Sequence, residues 1–426
     1  MNHEAIDVPG KLPSAGARGD PAAGPAPADA ADRLPPRRNR SAWMWYGLPA
    51  ILILALLSVV VVVTQRRPAP TSDCASPIKI TKAGTYSGCW RSQGGRAAVT
   101  IATAEPVRIS DSTIKGTGRL MTNSVPHAKL TLTNSRLSGV YPGGSGAWAD
   151  YALWLDGFDE AVIEHNLIEH KGGIKLNTWS GYASSHPVLV RYNRAIDIDG
   201  RKTDGAGGYY GHTITQFLQF DSVRNAPGIE IAWNEVQNRP DESAVEDNIN
   251  LFDSAGTSSS PIDVHDNYIK GAYPPRPDTD TKYSGGGIVL GDGGGAWQTA
   301  RNNQVVSSAN YGFAIAGGTN LVLANNRAVT AGVLPDDRTM DTNVGLVVWN
   351  QYSAAFGNDV ADGNVVGWWK ARSGSRNDWW LPDCSGTCAN TRLSANAPIT
   401  LADEAAEATI WQTKLRDAGV TVGPSA

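Results

Sequence analysis

Positive charge is scarce where a nucleic-acid binder would need it. Residues 1–72 hold 8 basic and 5 acidic side chains, and the rest of the 426-residue chain holds 29 basic against 36 acidic, a net of −7. Such a body offers no electrostatic footprint for a polyphosphate backbone, so nucleic acid is excluded as a partner. A polyanionic sugar would need local Lys, Arg or a bridging cation. Cysteine is also sparse: Cys74 and Cys89 open the C-terminal body, and Cys384 and Cys388 close it. An even number in an exported region implies two local disulfides, and no His stands near Cys384-x-x-x-Cys388 to complete a zinc site. Large apolar residues are almost missing from residues 1–42, which are rich in Ala, Pro, Gly and Asp. That composition buries too little surface to offset chain entropy, so the segment is expected to be disordered.

One long apolar run interrupts this pattern, from Trp43 to Val63. It is long enough to cross a hydrocarbon layer of about 30 Å, with Trp43, Trp45 and Tyr46 at one interface. Arg66-Arg67-Pro68 follows it in place of a small-residue cleavage site, which favours a retained anchor over a removed signal peptide. Arg33, Arg37, Arg38 and Arg40 precede the run, against Arg66 and Arg67 after it. The positive-inside bias then puts the N-terminus in the cytoplasm and the C-terminal body in a periplasm or outside the cell. The expected layout is a disordered segment over 1–42, a transmembrane helix over 43–64, a linker over 65–76 and a folded body over 77–426.

Within that body a short element recurs: alternating apolar residues, then Asn, then another apolar pair. It is clear at Asn134, Asn166, Asn193, Asn234 and Asn267 and persists at Asn303, Asn326 and Asn364, with spacings of 32, 27, 41, 33, 36, 23 and 38. Repetition at such a period predicts a solenoid with loop insertions between coils. A strand with one apolar face cannot bury that face alone, whereas stacked coils can. Neighbouring strands lie about 4.8 Å apart, so an Asn at one corner of each coil is placed to form an amide ladder. A second strand series interleaves with the first: Ala152-Leu-Trp-Leu-Asp156, Gly173-Ile-Lys-Leu-Asn177, Phe217-Leu-Gln-Phe-Asp221, Asp247 to Leu251, Gly287 to Leu290, Gly312 to Ile315 and Val344 to Trp349.

Two interleaved series with one period predict an all-β chain with at least two sheets around a common core. The pattern resembles the right-handed parallel β-helix of the pectin-lyase-like superfamily, over roughly Val99 to Trp369. That resemblance implies a fold shared by polysaccharide lyases, glycoside hydrolases, epimerases and non-catalytic binding proteins, so it does not name a reaction. Open solenoid ends need covers. Pro77 to Trp90 is expected at the first end, and a helix near 402–418, with Ala408, Trp411, Leu415 and Ala418 on one stripe, at the other.

In the second series, Leu153, Leu155, Ile174, Leu176, Leu218, Phe220, Ile249 and Leu251 are expected to point inward. Their alternates then face out: Trp154 and Asp156, Lys175 and Asn177, Gln219 and Asp221, Asn248 and Asn250. Farther along the outer face turns apolar or small, at Val289, Ala314, Ala316, Val347 and Trp349. A solvated sheet face accounts for such a patch, and so does a groove for a sugar chain. In β-helix lyases a Lys or Arg removes the proton α to a uronate carboxylate while calcium withdraws charge; the resemblance therefore assigns Lys175 as base, flanked by Asp156 and Asp221, with Ca2+ as the one cofactor considered.

Glu246 and Asp247, in Val245-Glu-Asp-Asn-Ile-Asn-Leu251, resemble instead the paired acids of polygalacturonase-type hydrolases. In an inverting glycosidase two carboxyls stand roughly 6.5–9.5 Å apart, and Asp221 offers a further acid. The next coil carries Gly285-Gly-Gly-Ile288 where that family has Gly-His-Gly, and no Arg-x-Lys follows. The insertion from Asp199 to His212 brings Arg201, Lys202, Tyr209 and His212 over the groove, and a second long one runs from Ala272 to Tyr283. Asp292-Gly-Gly-Gly reads as a turn. Among the 14 Trp, Trp179, Trp349, Trp368, Trp369, Trp379 and Trp380 sit near strand ends, where flat indoles suit the C–H faces of sugars.

The sequence thus predicts an anchored β-helix that binds a polysaccharide and cleaves it, by elimination slightly before hydrolysis. The alternative is a non-catalytic carbohydrate-binding or envelope scaffold.

Overall fold

The computed structural model describes residues 74–92, 95–182, 188–280, 284–353 and 355–425. The expected disordered segment, the apolar run and residues 65–73 of the linker lie outside the described residues. Among the described residues no helix is long and apolar enough to cross a membrane. Cys74 and Ala75 already belong to the folded body, Cys74 through a disulfide to Cys89 and Ala75 through a bridge to Trp90. The second disulfide joins Cys384 to Cys388.

Each coil contributes to three parallel sheets, one more than the two strand series separated in the sequence. The first sheet stacks strands such as Met121–Asn123, Leu218–Asp221, Asp247–Phe252, Gly286–Leu290, Tyr311–Ile315 and Val344–Val348. The second holds the strands that precede the ladder corner, including Ala128–Thr133, Val188–Arg191, Glu230–Ala232 and Ile262–His265. The third holds those that follow it, including Arg136–Gly139, Arg194–Ile198, Glu235–Gln237 and Tyr268–Ala272. Long strands bend from one sheet to another: Tyr151–Glu164 runs through the first and second, Leu167–Trp179 through the third and first.

Period-2 alternation does the work expected of it. Leu153, Ile174, Leu218, Ile249, Ile288, Phe313 and Leu346 are register partners on successive coils and all lie in the buried core. Burying one such side chain stabilises by about 1.5–3 kcal/mol relative to leaving it in water, so the stacked column is a main source of stability.

The amide ladder is continuous from Asn166 to Asn390. Each Nδ2 donates to the Oδ1 of the next coil at 2.9–3.0 Å, through Asn193, Asn234, Asn267, Asn303, Asn326 and Asn364. Each Nδ2 also donates to a backbone carbonyl of the preceding coil, as Asn234 does to Val190 at 2.8 Å. Asn134 is a correction: it stands one residue before the ladder, and Ser135 takes the ladder place, its backbone N–H donating to Asn166 Oδ1 at 3.0 Å. Asn134 belongs to another series, which also includes His165, Tyr192, Trp233, Asp266, Asn302 and Asn325, all with φ of 50–58°. Non-glycine residues rarely adopt this left-handed conformation; here the ladder bonds on the following residue hold the corner.

Helix α1 (Leu401–Ala418) starts at a capping box formed by Thr400 and Asp403 and ends at Gly419, φ 64°. It does not cover the end of the solenoid. It lies along the outer face of the third sheet: Arg327 pairs with Glu407 (2.6 Å), Trp411 stacks on Tyr268 (centroids 5.6 Å), and the Trp411 indole N–H donates to Glu235 (2.9 Å). The tail then runs back toward the first coils, with Gly423 N–H on Tyr192 O (2.7 Å) and Ser425 N–H on Asn134 Oδ1 (2.6 Å). The stripe on Ala408, Trp411 and Leu415 missed Glu404 and Glu407, which are buried against the sheet.

Candidate functional site

The outer face of the first sheet is a line of register partners: Lys79, Thr100, Thr122, Trp154, Lys175, Gln219, Asn250, Val289, Ala314, Val347 and Trp380. A parallel line two residues on reads Asp156, Asn177, Asp221 and Phe252. The face thus passes from basic and aromatic, through a buried polar centre, to apolar. Val289, Ala314, Ala316 and Val347 cluster there under the half-buried Trp349, Tyr352 and Trp380, and the Trp349 and Trp380 rings are 5.5 Å apart.

At the centre two carboxyl groups share one asparagine and take one tyrosine each, with a third carboxyl beside them. Asn250 Nδ2 donates to Asp247 Oδ2 (3.0 Å) and to Asp292 Oδ2 (2.8 Å). The Tyr311 hydroxyl donates to Asp247, and the Tyr352 hydroxyl to Asp292. Glu246 lies beside them and accepts from Ser284 Oγ at 3.3 Å. Residual exposure is 8% at Glu246, 5% at Asp247 and 7% at Asp292. Burial raises Glu246 to about 7, countered by the Ser284 hydrogen bond and assisted by the Asp292 charge. Burial and the Glu246 charge hold Asp247 well above the usual carboxylate range, and burial raises Asp292 as well. Clustered carboxyls in low dielectric cannot all ionise, so the group retains a proton at neutral pH. Asn250 Oδ1 is buried with no hydrogen-bond partner among the described residues.

Gly286 makes this arrangement sterically feasible. A Cβ there would stand 2.2 Å from Asp247 Oδ1 and 2.6 Å from the Tyr311 ring. The void left among Glu246, Asp247, Asp292, Tyr311 and Gln351 is only about 10 Å³, room for about one water. Beside it opens a cavity of about 420 Å³, lined by Tyr209, Tyr210, His212, Arg276 and Ser284. Ser284 therefore touches both this cavity and Glu246.

Lys175, Asp156 and Asp221 come together on adjacent coils, but in pairs. Lys175 Nζ is 3.0 Å from Asp221 Oδ2 and 5.1 Å from the Trp154 ring centre, and Asn177 Nδ2 donates to Asp156 Oδ1 at 2.5 Å. These carboxylates are already engaged, and among the described residues no group of three or more His, Cys, Asp or Glu side chains is placed to hold a metal ion. The calcium site considered from the sequence does not fit them.

Arg201 is a correction. It is buried in a bidentate pair with Asp199 (2.8 and 3.0 Å) under the Tyr209 ring (3.9 Å), and so supports the hairpin Arg201–Thr203/Tyr209–His212. Lys202 is half-buried on that hairpin, and Tyr209 and His212 face the cavity. Trp179 is half-buried with its N–H on Asp159 O (2.8 Å), and Trp368 is fully in the core. Asn248 does not face out: it is buried at the corner, accepting from Asn238 (3.1 Å).

Sequence reasoning missed Asp292, Tyr311 and Tyr352. Asp292 sits in a Gly-rich stretch that reads as a turn, and the tyrosines lie 64 and 60 residues from their partners. The one available signal was an acid and two phenols on or beside a face that otherwise turns apolar.

Residues 97–328, more than half the chain, match the family of right handed beta helix regions, and the chain belongs to that family. It is a right-handed parallel β-helix repeat protein. No curated protein and no solved structure matches it.

Proposed function

We propose that this chain is a membrane-anchored, exported β-helix protein, similar to the pectin-lyase-like proteins, whose groove over the first sheet binds a polysaccharide and hydrolyses it. The observation that carries this reading is the buried cluster of Asp247 and Asp292, joined through Asn250, with Glu246 beside them and raised to about 7. A carboxyl that keeps its proton near neutral pH is suited to general-acid work. Glu246 gives its proton to the leaving glycosidic oxygen, a neighbouring carboxylate takes one from water, and the water oxygen bonds to the anomeric carbon as the glycosidic bond breaks. The half-buried indoles of Trp349 and Trp380 offer apolar faces to sugar rings. Export is supported by the two disulfides, and anchoring by the apolar run from Trp43 to Val63.

Elimination has less behind it, because Lys175 is held in an ion pair with Asp221 and a base must be free and neutral. A non-catalytic binding role is favoured by one observation, the void of about 10 Å³ at the acids, which holds about one water and no sugar ring. The test incubates the full chain and its Glu246→Gln, Asp292→Asn and Lys175→Met variants with neutral and acidic polysaccharides, following new reducing ends and ultraviolet absorbance of unsaturated products together. Hydrolysis gives reducing ends without absorbance, lost at least 100-fold in Glu246→Gln. Absorbance that depends on Lys175 replaces this reading with a lyase, and binding without products replaces it with a scaffold.

A further inference from the structure

The hairpin Arg201–Thr203/Tyr209–His212 forms a two-stranded antiparallel sheet of its own, apart from the coils. Its two outer edges differ. The edge of Arg201–Thr203 is closed by the loop that precedes the strand Tyr151–Glu164: Gly146 N–H donates to Thr203 O and Thr203 N–H to Ala147 O, both at 2.8 Å. Thr203 thus turns its backbone away from the hairpin, and it is the register partner of Tyr209. Opposed residues of an antiparallel pair either bond to each other or both turn outward, so the Tyr209 N–H and C=O turn to the other edge. Among the described residues no strand pairs with that edge. The cavity of about 420 Å³ lies along it. All four residues of the strand, Tyr209, Tyr210, Gly211 and His212, line that cavity, as an edge does; a pleated face presents alternate residues. The opposite wall includes Pro274, Pro275 and Thr279. Proline has no N–H to give to a ladder, so this wall does not complete the sheet.

We propose that this cleft binds an extended segment of another protein, which adds a third strand to the hairpin along Tyr209–His212. Such a partner is independent of the polysaccharide reading, since it pairs with an insertion between coils and not with the outer face of the first sheet. An exposed edge offers N–H and C=O groups at strand spacing, which a peptide backbone matches and sugar hydroxyls do not. At ordinary rise and spacings a strand residue fills about 160 Å³, so the cleft takes about three residues of the partner. A second copy of this chain would have to bring its own hairpin and the loop packed against it, which a cleft of about 420 Å³ does not admit. Tyr210, 65% exposed, and the two prolines favour small or apolar side chains on the bound segment. A proline at a pairing position of that segment is excluded, because it has no N–H to donate.

Heptapeptides selected on the full chain from a phage-displayed library are the probe, and the tightest binder is synthesised with each backbone nitrogen methylated in turn. Only alternate N–H groups of an added strand face its partner. Methylation at alternate central positions is therefore expected to weaken binding about tenfold, the worth of one hydrogen bond, and methylation between them to leave it within about twofold. Thr279→Trp, which fills the cleft from an exposed position on the opposite wall, should weaken the parent peptide at least about tenfold, and binding should slow hydrogen exchange at the Tyr209 amide. Methylation effects without a period of two, or binding that survives Thr279→Trp, place the peptide elsewhere and overturn the proposal. A library that yields no peptide overturns it too. Concentration-dependent dimerisation that Thr279→Trp abolishes assigns the edge to a second copy instead.

Discussion

The Tyr311 hydroxyl donates to Asp247 across the coil that lies between them, passing over Gly286. The phenol is held well above its usual range by burial and by the Asp247 charge, so the pair shares its proton on the tyrosine side. Gly286→Ala puts a methyl into that path, 2.2 Å from the carboxylate oxygen. The neighbouring atoms are a strand side chain and a ring with little room to yield. The expected outcome is a folded but destabilised protein, by about 1–3 kcal/mol for the buried acceptor left unsatisfied, with loss of any turnover. Denaturant melts and the reducing-end assay, run together, check both parts.

Stability is expected to fall as pH rises between about 4.5 and 7. Glu246 and Glu404 are both raised to about 7, by burial first in each case. Across that window the folded state binds more protons than the unfolded state, so raising the pH favours unfolding. Each group contributes up to about 3 kcal/mol of this change. Glu404→Gln keeps an acceptor for the Ala331 N–H, which the carboxylate now meets at 2.7 Å, and removes the titration. Its melting temperature should therefore depend less on pH than that of the parent, while remaining close to it at pH 4.5.

Lys171 acts in the opposite sense above pH 7. Its ammonium donates to the backbone carbonyls of Thr117 (3.3 Å), Gly118 (2.6 Å) and Ala149, and burial lowers it to about 7. Between 7 and the ordinary lysine value the unfolded state binds more protons, so this group adds stability as pH rises. Lys171→Met leaves buried carbonyls without a donor, and thermal melts should show a loss of about 1–3 kcal/mol or more.

In the ladder, Asn234→Ala should cost of order 3 kcal/mol, because it leaves the backbone N–H and side-chain amide of Asn193 (3.1 and 3.0 Å) without their acceptor and takes one donor from Val190 O, while Asn267 Oδ1 keeps the backbone N–H of residue 234 (3.0 Å). Asn234→Ser should cost less, since Ser135 already serves the same corner three coils earlier, accepting from the Ser112 N–H at 3.1 Å. Equal losses from the two substitutions, measured by urea melts, would show that a hydroxyl at this corner does not stand in for the amide.

The β-helix itself was legible because its signal is repetitive and local: alternation at Leu153 and Leu155 or at Ile249 and Leu251, and one Asn per coil. The third sheet was harder to separate, since its strands follow the ladder Asn directly and read as the tail of the preceding element. The ladder register slipped by one at Asn134 because Ser135 performs the Asn role with a different side chain. Glu246 and Asp247 were visible as adjacent acids. Asp292, Tyr311 and Tyr352 were not, because their meeting depends on how far successive coils advance, and loop lengths vary too much along the chain to give that. Arg201 and Glu407 show the same limit for charge: both are polar by type and buried by pairing with Asp199 and Arg327.

A solenoid in which each coil touches only its neighbours unfolds in pieces, because losing a terminal coil leaves the next one whole. The chain after the last coil does not permit this. Through Glu407, Trp411 and Lys414 it grips the coils of Arg327, Glu235 and Asn302, and with Gly423 and Ser425 it reaches those of Tyr192 and Asn134. Fraying at the C-terminal coil must then peel a clasp from the early coils, so a one-dimensional stack gains the all-or-none cooperativity of a globular domain.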